Sequence, residues 1–307
     1  MIPEWFLLAL LPPLIWASNY HIDKIAITKF GRGVPNVQLA IISGLGGLLV
    51  IASLLFLDPS RMTTSWSFHE IGFTFAGGIF YLLGSYMYYL GLSKEEVTRV
   101  APLYAFSPIF GILLGTTLLG EHINALNILG ILIVVAGGIL VDSRVVKHIF
   151  KVNWTVLIAI AVSCVGFSLS SVGFKQSSNY LDFGDNLMWF FVGSVATSIV
   201  LILIPKHRQD FLNLFKNHTK RKLTLVMIIS NIVGNIGRSI HNYAVLLVPI
   251  AFVQTVEAFE SAFVLVIAVL LGKFFVGLEP EDLSRRVLAQ KLASIAVIIT
   301  GSLLLMF

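Results

Sequence analysis

The chain has 307 residues, of which 57% are hydrophobic and only 12% charged, and its mean hydropathy is +0.90. Soluble domains carry about 25% charged residues, so the composition excludes an ordinary soluble domain and points to a polytopic membrane protein. The net charge of +5 does not imply nucleic acid. Membrane proteins gather Lys and Arg in cytoplasmic connections, and the basic cluster "KNHTKRK", Lys216–Lys222, need only meet anionic headgroups.

The start, "MIPEWFLLALLPPLIW", lacks a basic n-region and an Ala-x-Ala site, so the first apolar stretch is expected to be retained. A bilayer core needs about 20 apolar residues per helix. Ten segments qualify, near 5–27, 36–57, 69–91, 96–119, 122–141, 153–175, 184–204, 223–246, 249–272 and 287–306. The expected fold is therefore all-α and membrane-integral. The connections are mostly short; the longest, "PKHRQDFLNLFKNHTKRK", follows the seventh segment. No stretch suits a separate soluble domain. The single cysteine, Cys164, lies in an apolar segment and cannot form an internal disulfide.

Ten is twice five, and the two halves resemble each other. "SPIFGILLGTTLLGEH" (107–122) matches "FESAFVLVIAVLLGKF" (259–274), and "GILIVVAGGILV" (130–141) matches "SIAVIITGSLLL" (294–305). "WASNYHIDK" (16–24) matches "FSLSSVGFK" (167–175). The matches keep one order and an offset of 151–153 residues, up to an insertion around Val276–Arg286. The expected units are 1–148 and 149–307. Five helices cross a membrane an odd number of times, so the second copy must be inverted, an architecture of many secondary transporters.

Nearly all basic residues fall in the connections after segments one, three, five, seven and nine: Lys29, Arg32, Lys94, Arg144, Lys147, Lys151, Lys206, Arg208, Lys216, Lys220, Arg221, Lys222, Arg285 and Arg286. The opposite side has essentially Arg61. By the positive-inside rule these odd-numbered connections face the cytoplasm, and both termini lie outside. The expected location is the plasma (inner) membrane.

These residues resemble the EamA branch of the drug/metabolite transporter superfamily. "LIWASNY" resembles that family's first-helix W-G-s-n signature, "SPIFGILLGTTLLGEH" with Pro108 and Glu121 its fourth-helix motif, and "NILGILIVVAGGILV" its fifth-helix motif. The resemblance spans the whole chain and implies secondary transport, often metabolite export, through a central cavity. It names no substrate. The second copy departs from the pattern, with Glu260 or Ser261 where the family usually has proline and Lys273 where it usually has glutamate. Family members also usually keep both termini inside, against the charge asymmetry here.

Charges at mid-membrane cost about 2.5–3.5 kcal/mol on insertion scales and need a reason. In the eighth segment Asn231, Asn235, Arg238 and Asn242 follow i, i+4, i+7, i+11 and fall within an arc of about 60°, with His241 beside them. In the ninth, Gln254, Glu257 and Ser261 form a stripe flanked by Glu260. A tight turn near Leu247–Val248 joins the two segments. At 1.5 Å per residue Arg238 and Glu257 each lie ~12 Å from it, and Glu260 ~16 Å. Arg238 and Glu257 at one level read either as a charged cavity floor, holding an anionic group or setting a glutamate's protonation, or as a static ion pair fixing helix packing.

The first segment adds Trp16, Asn19, Tyr20 and Asp23 within an arc of about 100°, suited to stacking on a cation or ring or to packing against Pro12–Pro13. Asp23 and Lys24, near a helix end, are expected to snorkel, and His21 is expected to be structural. Ser168, Ser171 and Lys175 share a face of the sixth segment, where serines also suit close packing. Tyr81, Ser85 and Tyr88 share one face of the third, and the fourth adds Tyr104 and Ser107. Tyr86 and Tyr89 read as an interfacial belt. Pro102, Pro108 and Pro249 suit helix breaks. Gly111 and Gly115 suit helix packing or a dimer face, leaving monomer and homodimer both open.

No Walker A, G-x-G-x-x-G, H-E-x-x-H or Cys/His cluster occurs. Hence no cofactor, no metal, no catalytic group and no enzyme activity are expected. The expected partners are the lipid bilayer, a small-molecule substrate and protons. The leading reading is a proton-coupled exporter of a small polar metabolite working by alternating access. The alternatives are an exchanger of phosphorylated metabolites and a non-transporting membrane assembly partner. An anionic or zwitterionic substrate suits Arg238; a cationic or aromatic one suits Trp16 and the tyrosines. The orientation is testable through the sequons "NWT" and "NHT" at Asn153 and Asn217. Facing the cytoplasm, both should stay unmodified in a glycosylating host, and a glycosidase-sensitive mobility shift would reverse the assignment.

Overall fold

A computed structural model of the chain describes residues 3–95, 97–140, 153–272 and 285–306 and is all-helical there. Lys273, Arg144, Lys147 and Lys151 lie outside the described residues. In chain order the helices are α1 (Glu4–Phe30), α2 (Asn36–Leu45), α3 (Gly47–Leu57), α4 (Phe68–Lys94), α5 (Ser107–Leu118), α6 (Ala125–Leu140) and α7 (Trp154–Ser177). They continue with α8 (Phe183–Leu203), α9 (Pro205–Lys216), α10 (His218–Leu247), α11 (Ile250–Val256), α12 (Glu260–Gly272) and α13 (Arg285–Leu303).

Short polar side chains start several of the long helices. Ser67 and Glu70 form a reciprocal capping box at α4. Asn153, Asp182 and Asn217 accept the first free backbone N–H groups of α7, α8 and α10. α1 runs through Pro12 and Pro13 as one helix. Among the described residues, seven stretches are long and apolar enough to cross a membrane: Asn36–Leu57, Phe68–Lys94, Ala101–Leu118, Trp154–Ser177, Phe183–Leu203, His218–Leu247 and Ile250–Ile267. Two shorter apolar helices, Ala125–Gly138 and Leu292–Leu303, fall within the fifth and tenth expected segments. The first is α1, whose paired prolines and polar residues dilute its hydropathy.

The structure departs from the expected elements in three places. The second segment is interrupted at Gly46, which lies against Asn231 and Asn235 of α10. The ninth is interrupted by a 3-10 turn at Glu257–Phe259, and the fourth opens with 3-10 turns over Ala101–Phe106 before Pro108 starts α5. The long connection after the seventh segment is mostly the helix α9, which buries Leu214 and exposes Lys206, Arg208 and Lys216. Its apolar side returns to the bundle while its basic side stays out.

Between lipid-embedded helices no hydrophobic force acts, so close contact decides the packing. The most extensive contact pairs α4 with α7, and α1 with α10 follows. Glycines make the first possible: a Cβ on Gly166 would stand 3.1 Å from the Gly84 Cα, and one on Gly173 3.1 Å from the Gly77 Cα. α8 covers another side of α4, α6 pairs with α13, and α11 with α5. Gly111 faces Ala251 and Gln254, and Gly115 faces Glu121. This small-residue pair thus packs within the chain.

Outside the bundle, Arg61 clasps two connections. Its Nε lies 3.3 Å from Asp58, and its Nη1 lies 3.1 Å from Asp182 and also pairs with Asp185. Trp66 meets Trp189 edge-on at 5.5 Å nearby. Burial works to raise the Asp182 carboxyl, but the Asp185 backbone N–H and Arg61 outweigh it and hold it below its ordinary value. The clasp is therefore complete above the ordinary carboxylate range and weakens as pH falls through the lowered folded value. Tryptophan fluorescence should hold steady near neutrality and change only below about pH 4. Arg61→Ala should abolish that step; a step unchanged in the variant would count against the clasp.

Candidate functional site

α1 and α10 cross closely because Gly234 and Gly237 make room. A Cβ on Gly237 would lie 2.7 Å from Trp16 Nε1, and one on Gly234 2.6 Å from Asn19 Nδ2. At the crossing Trp16 Nε1 donates to the Gly234 carbonyl at 3.2 Å, and Asn19 Nδ2 to the Ser230 carbonyl at 2.8 Å. Beside it lies a cavity with about 110 Å³ of space open to water-sized molecules, lined from α1, α4, α7, α10, the 3-10 turns and the interrupted ninth span.

Arg238 stands in the wall of this cavity, only 4% exposed. Its guanidinium carbon is 5.2 Å from the Trp16 ring, 4.8 Å from Tyr81 and 5.0 Å from Phe167. Three ring faces thus cage the cation, an arrangement stabilised by the ring quadrupoles when water is excluded. Among the described residues Arg238 has no carboxylate within ion-pair distance, so the Arg238–Glu257 pair expected from their common depth does not form. Glu257 Oε1 instead lies 2.5 Å from His241 Nδ1. Equal depth does not place two side chains on facing surfaces, and the 3-10 turn at Glu257 re-aims its carboxylate toward the imidazole. The other imidazole nitrogen, Nε2, lies 2.9 Å from Ser171 Oγ.

One helical turn on, Glu260 also lines the cavity. It is 5% exposed, and among the described residues its Oε1 has no hydrogen-bond partner. Gln254 faces the cavity while donating to Ser168 Oγ at 2.9 Å.

Asp23 does not snorkel. It is buried and accepts Tyr88 OH at 3.0 Å and Ser230 Oγ at 2.6 Å. Tyr88 packs edge-on to Tyr20 with centroids 5.1 Å apart, and Tyr104 stands 6.2 Å from Tyr20 and 6.5 Å from Tyr88. Tyr104 OH lies 2.8 Å from Ser163 Oγ, which donates to the Gly84 carbonyl. Tyr89 is not in an interfacial belt: it is buried and lines the cavity. His21 is buried with Nε2 3.1 Å from the Val264 carbonyl.

The cavity thus gathers Trp16, Asn19, Tyr20, Asp23, Tyr81, Tyr88, Tyr104, Asn231, Arg238, His241, Gln254, Glu257 and Glu260. Asn235, Asn242, Ser171 and Lys175 are not in its lining. Asn235 and Asn242 are buried on the same face of α10 as Arg238, and Asn235 packs against Gly46. Ser171 sits behind His241. Phe167 and Ser43 line the cavity without a sequence signal, since one is apolar and the other lies alone in an apolar run.

Lys175 works at a helix end. Its Nζ donates to Glu121 Oε1 at 2.6 Å and to the Val248 carbonyl at 2.7 Å. The Glu121 carboxylate accepts the Ile250 backbone N–H at 3.0 and 3.2 Å, capping α11. Lys24 makes similar bonds at its own end, to the Leu92 and Glu95 carbonyls at 3.0 and 2.7 Å.

Membrane-length helices packed round a buried, polar and aromatic cavity define a polytopic membrane protein with room for a small solute. Residues 3–141 match the EamA-like transporter family, a match consistent with the drug/metabolite transporter superfamily. No curated protein matches the sequence. One crystal structure of a protein is similar at 16% identity and a TM-score of 0.66, with 100% of this chain and 99% of that chain covered. At that identity the likeness shows the fold alone.

The Lys175–Glu121 contact is separable from the cavity by mutation. Glu121→Gln and Lys175→Met should each destabilise the purified protein by ~1–2 kcal/mol. In a double-mutant cycle their effects should be non-additive by at least ~0.5 kcal/mol. Additive effects would mean the contact contributes nothing.

Proposed function

We propose that the protein is a secondary active transporter of a small polar metabolite, an exporter that works by alternating access and is coupled to protons. Its ten spans form two inverted five-helix repeats, 1–148 and 149–307, in the plasma membrane, with odd-numbered connections cytoplasmic and both termini outside. The match of residues 3–141 to the EamA-like transporter family supports the transport class. The observation that carries the reading is the cavity itself, built by both halves around a buried carboxylate, Glu260, that has no partner on its Oε1 among the described residues.

Reciprocal packing supports the repeat. The first helix of the first half, α1, packs on the third of the second, α10; the third of the first, α4, packs on the first of the second, α7. The equivalent lysines, Lys24 and Lys175, each reach carbonyls at the end of the third helix of their own half. Both the fourth and ninth spans contain 3-10 turns. Two halves that exchange partners in this way suit rocking about a shared cavity. Lys24 and Lys175 are engaged at helix ends and neither lines the cavity, which disfavours exchange of phosphorylated metabolites.

Coupling follows from the cost of an unpaired charge away from water. A carboxylate such as Glu260 is relieved by a proton or by another cation, and the exchange of one for the other links two fluxes. In proteoliposomes an imposed proton gradient should drive accumulation of substrate, with the gradient collapsing faster when substrate is present. Glu260→Gln should lower driven flux by at least about tenfold, while Arg238→Ala should impair it with the fold retained. Flux indifferent to pH and to the gradient would refute coupling, and no flux of any metabolite pool would refute transport.

A further inference from the structure

We infer that the cavity takes an organic cation, bound by Glu260 against the rings of Tyr20, Tyr88 and Tyr104; this rests on the transport reading and names its substrate class. The charges of the cavity are unevenly committed. Arg238 is enclosed by three rings, its Nε without a hydrogen-bond partner among the described residues, and His241 lies with Nδ1 2.5 Å from Glu257 Oε1 and Nε2 2.9 Å from Ser171 Oγ. Each Asp23 oxygen accepts a hydroxyl. Glu260 Oε1 is left without a partner among the described residues, in a side chain 5% exposed. With Asp23, Glu257 and Glu260 opposite Arg238, the ionised cavity has carboxylates in excess. An anion would have to enter among them and reach a guanidinium already walled by aromatic rings. A cation instead supplies what Glu260 lacks.

The tyrosines provide the rest of such a site. Tyr20, Tyr88 and Tyr104 meet with centroids 5.1–6.5 Å apart, and rings so grouped attract a cation by their negative faces while their bodies accept an apolar group. Arg238 already shows how this protein holds a cation in rings. The charged or titratable groups that line the cavity with Glu260 are Asp23, Arg238, His241 and Glu257 with Tyr20, Tyr81, Tyr88, Tyr89 and Tyr104. Cation binding therefore requires an ionised carboxylate and strengthens as pH rises.

The test uses the purified full-length protein and three small probes of similar bulk: benzyltrimethylammonium, benzenesulfonate and the zwitterion phenylalanine. Titration calorimetry should show saturable binding of the ammonium probe, at least about tenfold tighter than the other two and tighter at pH 8 than at pH 6. Glu260→Gln should weaken it at least about tenfold, and Tyr104→Leu should weaken it while the variant keeps its thermal transition. The wild-type probe ranking and pH trend stand as tests even if Glu260→Gln does not fold. Equal or tighter binding of the sulfonate or the zwitterion would overturn the inference, as would ammonium binding untouched by a folded Glu260→Gln. Ammonium binding without flux would overturn the transport reading and leave the site standing; flux of anions only would do the reverse.

Discussion

A charged group held away from water must be met by an opposite charge, a hydrogen bond or the face of a ring, and the helices here are arranged round that requirement. Arg238 is met by three rings rather than by a carboxylate. Asp23 is met by two hydroxyls from different helices, and Glu257 by His241. Each solution brings a different helix to the same place. The cavity is what remains between these side chains, and Glu260 Oε1 is left in it without a hydrogen-bond partner among the described residues.

The backbone serves the same end. Glycines let α4 and α7 approach until almost no side chain separates them, and Gly234 and Gly237 let Trp16 and Asn19 lie directly on α10. Close approach there leaves the remaining space concentrated rather than spread as small voids. The interruption at Glu257–Phe259 then turns two carboxylates toward that space. A continuous helix would have placed Glu257 by its periodicity alone.

Much of this is legible in the residues. The polar stripe of α10 and the ring-bearing face of α1 follow helical spacing, so Arg238, His241, Trp16 and Tyr20 could be read as facing one interior. Partner choice could not. Arg238 and Glu257 share a depth by counting, but rotation about each helix axis decides which side chains touch, and a 3-10 turn changes that rotation. Phe167 carries no signal because an apolar residue in an apolar helix looks the same facing lipid or caging a guanidinium. Tyr89 was ambiguous for a related reason: a tyrosine near a helix end suits both an interface and a buried wall, and only the packing of α4 against its neighbours separates them.

The knot at Lys175 bears on how the bundle can move. One ammonium and one carboxylate join the end of α7, the carbonyl of Val248 at the close of α10, and the first free N–H of α11. Three helix ends of the second half are therefore fastened to one carboxylate, Glu121, of the first. Widening the bundle on that side cannot proceed helix by helix, since releasing any strand of the knot strands a charge or a backbone group for the others. Opening on that face would therefore have to break these bonds together.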